Sequence, residues 1–143
     1  GLFFDARFLL LIMAIETLSE CAPRSDEAIA YVDMLIESTN NCRTLRKEDS
    51  NSMIGALHWL KQESIRQAGK RLVTERLGDR MYADMSAAKY FSQCYDLRSK
   101  LVHGGASDRG KIDKLVPQLP SFVSDLLTIP ILVPPDNNIE YQQ

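Results

Sequence analysis

Apolar side chains recur every three or four positions along nearly all of the chain up to residue 127, and no stretch alternates convincingly in twos. That period lays one apolar stripe along a helix, whereas a half-buried strand needs a period of two. In residues 3–20 the stripe is Phe4, Phe8, Leu11, Ile12, Ile15 and Leu18, interrupted by Glu16. Enough apolar residues flank it to predict burial on most sides. Ile29, Val32, Leu35 and Ile36 form a second stripe, and Met53, Ile54, Leu57 and Leu60 a third, with Trp59 beside it. Ile65, Leu72, Val73 and Leu77 continue the third pattern to Gly78. Phe91, Cys94, Tyr95, Leu101 and Val102 mark a helix over residues 86–103. Ile112, Leu115, Leu119, Phe122, Val123, Leu126 and Leu127 mark the last.

The breaks agree with the stripes. Pro23 stops the first helix, and Ser25-Asp26-Glu27 is a start signal, with acids where a helix N-terminus favours them. Asn40-Asn41 ends the second helix, and Glu48-Asp49-Ser50 starts the third. One helix from there to Gly78 would be unusually long, so a break near Glu63-Ser64 is expected. Gly78-Asp79 reads as a loop, and Gly104-Gly105 as a helix stop. Pro117 and Pro120 predict a late start or a bend in the last helix. The fold expected is an all-α bundle of five or six helices over residues 1–128. An extended, proline-containing tail or linker follows over 129–143.

At 143 residues, 45% hydrophobic and 25% charged, the chain has the size and composition of one globular domain. Its longest apolar run, residues 8–15, is too short for a membrane span, so no membrane partner is expected. The chain begins Gly-Leu, as an excised domain of a longer protein would. Cys21, Cys42 and Cys94 are odd in number and form no CxxC pair, which predicts reduced structural thiols and a cytoplasmic setting. No metal-ligand cluster, Gly-rich phosphate loop or Ser-His-Asp arrangement is visible, so neither metal nor cofactor is expected. His58, beside Trp59, reads as structural.

The net charge of −2 argues against nucleic acid only until it is resolved along the chain. Residues 1–60 carry five basic and nine acidic side chains, residues 61–114 twelve and seven, and residues 115–143 none and three. The middle is therefore basic, and Lys70, Arg71, Arg76 and Arg80 could meet phosphates there. It also holds Tyr95-Asp96-Leu97-Arg98-Ser99-Lys100-Leu101-Val102-His103-Gly104-Gly105, with an Arg and a His five positions apart near a helix end. On a helix such a pair stands roughly 140° apart and ~7.5 Å along the axis. The two could converge on one phosphate only where the chain leaves helical geometry. Spacing alone favours a capping His103 and a surface ion pair for Arg98.

Residues 95–105 resemble the signature of the HEPN superfamily, in its Apea-like branch, where an Arg-x4–6-His element on a late helix precedes Gly-Gly. The apolar run of residues 8–18 around Glu16 is similar to that branch's first helix. Residues 57–65 with Arg71-Leu72 resemble its middle helices, and Lys89-Tyr90-Phe91 leading into the motif is the nearest likeness. The resemblance extends over roughly residues 3–127.

The resemblance implies a metal-independent endoribonuclease. It makes Arg98 and His103 the catalytic pair, the ribose 2′-hydroxyl the nucleophile, and a cyclic phosphate and a 5′-hydroxyl the products. His103 would move a proton to or from a ribose oxygen, and Arg98 would offset charge building at phosphorus. One chain supplies one motif histidine, so a homodimer through the motif helix is implied. Asp96 and Ser99 would orient the pair, and Glu16 would support a basic group such as Arg98. Lys70, Arg71, Arg76 and Lys100 would contact RNA. Toxin, phage-defence or stress systems are the expected setting, with a further domain or an antitoxin as partner. The alternatives are a non-catalytic HEPN module for dimerisation or ligand binding, and a helical scaffold whose Arg/His spacing is accidental.

Overall fold

The computed structural model describes the backbone of residues 2–103 and 109–129, with side chains from residue 6 onward. The side chain of Phe4, the stop at Gly104-Gly105 and the tail from Pro130 lie outside the described residues. Four helices come first: α1 (Leu2–Leu18), α2 (Asp26–Asn40), α3 (Lys47–Trp59) and α4 (Ile65–Leu77). A two-stranded hairpin follows, β1 (Met81–Tyr82) and β2 (Met85–Ser86), and then α5 (Ala87–Val102). The chain continues through α6 (Arg109–Leu115), a 3-10 turn (Val116–Gln118) and α7 (Leu119–Thr128). With α6 and α7 taken as one helix bent at the turn, the described residues form an all-α architecture of six helices. Pro117 lies in the turn and Pro120 in the first turn of α7, where a missing N–H costs nothing.

Contacts divide the chain within α4 into two compact units, Gly1–Arg71 and Leu72–Gln143. In the first unit α2 packs on α3. The Ser25 side chain caps α2 by accepting the N–H of Ala28 at 3.3 Å. Phe8, Ile12 and Ile15 of α1 are buried, at helical spacing.

Two expectations about this unit fail. Leu10 and Met13 of α1 are exposed, so its burial is one-sided rather than all round. No residue of α3 is buried, and Trp59 is 74% exposed, with His58 exposed beside it. The α3 stripe therefore borders the α2–α3 contact rather than forming a core, and His58 is a surface residue.

The loop after α1 is latched to the loop before α4. Arg24 N–H donates to the Lys61 carbonyl at 2.9 Å, and Glu63 N–H to the Ala22 carbonyl at 2.8 Å. The Glu63 carboxylate accepts the N–H of Ala22 at 3.1 Å and pairs with Arg71, also at 3.1 Å. Arg71 donates in addition to the Glu20 carbonyl at 2.9 Å. The Arg71 guanidinium beside Glu63, with the Ala22 bond, holds the carboxyl below the usual range.

The second unit has an aromatic core. The Tyr82, Tyr90 and Phe122 rings meet with centroids 4.9–5.7 Å apart, the tilted and edge contacts that ring quadrupoles favour. Both phenols are satisfied, Tyr90 by the Leu115 carbonyl and Tyr82 by Asp125, each at 2.6 Å. Burial, then Asp125, pushes the Tyr82 phenol up to about 12, so it stays a donor at neutral pH. Val73, Leu77, Leu97, Leu119, Val123 and Leu126 also belong to the core.

The hairpin between α4 and α5 was not anticipated. It pairs Met81 with Ser86 and Tyr82 with Met85 across a two-residue loop in which Ala83 and Asp84 both have positive φ. Its strands are too short for alternation to show in the sequence.

Candidate functional site

Helix α5 carries the Arg/His motif, and its ends explain where the motif lands. The Ser86 hydroxyl caps the start by accepting the Lys89 N–H at 3.4 Å. His103 is the C-cap, its N–H donating to the Ser99 carbonyl at 3.1 Å. The apolar face comprises Ala87, Tyr90, Phe91, Cys94 and Leu97, all buried. Burial pushes the Cys94 thiol up to about 12, as befits an inert core thiol.

Arg98 sits four residues after Cys94 and seven after Phe91, on the edge of that buried face. It is half-buried, and its Nε is shielded from solvent. The guanidinium carbon lies 5.9 Å from the centroid of the Tyr95 ring, and that ring lies 5.9 Å from the Phe91 ring. Contact of this kind contributes roughly 0.5–1 kcal/mol and restrains the side chain. His103 is exposed at the helix end. Its φ of −92° and ψ of 13° lie outside the helical region, so the chain leaves helical geometry at this residue. Arg98 is thus a restrained cation at the core boundary and His103 a solvent-facing group one turn on.

The other candidates are distributed differently. Ser99 is half-buried behind His103, and its carbonyl receives the cap bond. Asp96 and Lys100 are exposed on the solvent face of α5. Glu16, half-buried, belongs to α1 in the first unit. Lys70 is exposed in α4, also in the first unit. Arg71 is committed to Glu63 and Glu20. Arg76 donates to the Leu126 carbonyl at 3.0 Å, and Arg80 pairs with Asp125 at 3.6 Å. The basic run of α4 and the following loop thus includes three arginines with structural partners.

A cleft of about 150 Å³ opens between α5 and α6, lined by Gln93, Asp96, Leu97, Lys100 and Lys111. Gln93 and Lys111 belong to no motif that marks them in the sequence. The spacing 93, 96, 97, 100 marks one helix face and could have shown the α5 wall; Lys111 arrives from another helix and could not be placed by period.

Of the three cysteines, Cys42 departs from the expected buried role. It is exposed, its sulfur 3.2 Å from the Thr44 hydroxyl, and that hydrogen bond holds the thiol below its ordinary value. Among the described residues, no group of three or more His, Cys, Asp or Glu could hold a metal ion, and no helix is long and apolar enough to cross a membrane.

Comparisons with family models, with curated proteins and with solved structures return no match to this chain.

Proposed function

We propose that the chain is an HEPN-type endoribonuclease domain that works as a homodimer, with Arg98 and His103 as the reacting pair. One observation carries this reading: a restrained Arg98 and a solvent-facing His103 sit at the same end of α5, the motif helix. The all-α architecture supports this reading.

The chemistry asks little beyond these two side chains and a second copy. A neutral imidazole takes the proton of a ribose 2′-hydroxyl, and the oxygen attacks the adjacent phosphorus. The 5′-oxygen leaves with a proton from a second imidazole, the partner subunit's His103. A cyclic 2′,3′-phosphate and a 5′-hydroxyl remain, and a cation such as Arg98 offsets the charge gathering on the phosphoryl oxygens. The 2′-hydroxyl requirement makes RNA the substrate. Toxin or defence systems are the setting in which such a domain would act.

The test is cleavage of single-stranded RNA in EDTA by the purified chain, with His103→Ala and Arg98→Ala alongside. Fragments ending in a cyclic phosphate, lighter by one water than the monophosphate in mass spectrometry, are expected from the parent alone. A drop of at least ~100-fold is expected in each variant. A demonstrated dimer that leaves RNA intact overturns the enzyme reading in favour of a binding module. Cleavage that persists in both variants assigns the activity elsewhere.

A further inference from the structure

We propose that the outward face of α2 docks a cationic amphipathic helix of a partner protein, with Tyr31 and Met34 as the apolar contact and Glu27 and Glu37 as its charged ends. The proposal is independent of the ribonuclease reading.

The α2–α3 pair covers little of its own apolar surface. Among the described residues, Val32 is the one buried residue of α2, and α3 has none. At ~100° per residue, Met34 stands nearly opposite Val32. It is 56% exposed, and Tyr31, three residues before it, is 58% exposed. Single exposed apolar residues are ordinary on a protein surface. These two are helix neighbours at i and i+3, with Ala30 exposed beside them. Glu27 precedes Tyr31 by four residues and Glu37 follows Met34 by three, and both are exposed. The five residues share roughly a third of the helix circumference and span ~15 Å of its length. From one end to the other the face reads acid, apolar, apolar, acid.

Charge decides what can lie on such a face. Helix α2 carries Asp26, Glu27, Asp33 and Glu37 and no Lys or Arg. Asp33 pairs with Lys61. The Glu27 N–H, and then the Ser25 hydroxyl, hold the Glu27 carboxyl below the usual carboxylate range, so what it offers a partner is charge. A second copy of the same face would set carboxylates against carboxylates, and like charges across an interface repel. RNA and anionic lipid are repelled here for the same reason. Residues 130–143 hold two acids and no Lys or Arg, so the chain's own tail does not match either. A helix with two apolar side chains one turn apart, and a Lys or Arg one turn beyond each, matches at every position. Because the pattern reads the same in both directions, it matches in either orientation. Methionine adapts its shape to a partner, and tyrosine gives a large contact with few rotatable bonds.

The experiment uses a fluorescein-labelled peptide of ~18 residues, five helical turns, built from leucine, lysine and alanine with that spacing. A scrambled order of the same residues and a version with glutamate for lysine accompany it. Anisotropy measures binding to the whole chain and to two double variants, Tyr31→Ser with Met34→Ser and Glu27→Gln with Glu37→Gln. Met81→Gln with Asp113→Gln, a methionine and an acid of the second unit, is the control. All the substituted positions are exposed, and circular dichroism verifies folding. Each α2 pair is expected to weaken binding of the spaced peptide about tenfold, with the control unchanged. The charge pair should also flatten the salt dependence. A benzophenone in the peptide should cross-link to the tryptic fragment of residues 25–43, which contains α2.

Equal binding of the scrambled peptide overturns the helical match, and equal binding of the glutamate peptide overturns the charge match. Failure of the spaced peptide to bind, or cross-links confined to other fragments, overturns the site. A change of oligomeric state in Tyr31→Ser with Met34→Ser, read by sedimentation, makes a second copy the occupant and overturns the partner assigned here.

Discussion

Gly78 and Ala83 both have positive φ, 51° and 48°, and only one of them is suited to it. Gly78 follows the last residue of α4, its N–H donating to the Thr74 carbonyl at 3.1 Å. A Cβ built there meets nothing within 4 Å, so any cost of Gly78→Ala is backbone strain and not collision. Ala83 has a Cβ that the left-handed region crowds, at roughly 1–2 kcal/mol per residue. The Tyr82 bond to Asp125 next to it shows how the turn is held regardless. The two substitutions should have opposite signs: Gly78→Ala should lower stability by about 1 kcal/mol, and Ala83→Gly should raise it by up to about 1 kcal/mol. Urea unfolding of the two variants checks this, and equal signs would refute the account. The sequence showed the first of these positions, since glycine after an apolar stripe marks a helix stop. It concealed the second, because Ala-Asp is an uncommon choice where Asn-Gly or Asp-Gly is favoured.

Among elements, the boundaries of the helices were legible because local chemistry sets them. Ser25 and Ser86 cap α2 and α5, and the break near Glu63-Ser64 separates α3 from α4. What each helix buries was less legible, because it depends on partners far along the chain. The α3 stripe has the spacing of a core face and none of its residues is buried. The position of Arg98 was readable, since it shares a face with Phe91 and Cys94. The cleft was not, since Lys111 comes from α6.

The Glu63 latch is likewise a product of distance in sequence, its carboxylate meeting Ala22 across 41 residues. Its folded-state pKa is lowered, chiefly by Arg71. The stabilisation it brings is therefore complete above the ordinary carboxylate range and lost as pH falls through the depressed value. Glu63→Gln should melt earlier than the parent at neutral pH, and the gap should close as the solution is acidified to about pH 2. A gap that stays constant would show that the charge is not what holds the latch.

At the scale of the whole molecule, the proposed chemistry makes a demand that the motif of one chain does not meet. Proton removal from the 2′-hydroxyl and proton delivery to the 5′-oxygen need two groups in opposite protonation states, and the motif supplies one histidine. His58, the other histidine, lies on α3 in the first unit, outside the motif helix. A two-fold dimer brings the second group without further sequence, by presenting the same surface twice. This predicts how activity responds to dilution with inactive subunits. When the parent is mixed with His103→Ala and subunits exchange freely, only dimers with two parent subunits hold both histidines. Activity should then follow the square of the parent fraction, so an equal mixture retains about a quarter of the activity rather than half. Metal-free RNA cleavage across a series of mixtures measures the curve, with subunit exchange verified by light scattering on size-tagged chains. A straight line would mean that each subunit acts with its own His103, and that the second proton comes from a group outside the motif. A quadratic curve ties the reaction to the pair of α5 helices, each contributing one His103 to a shared cleft.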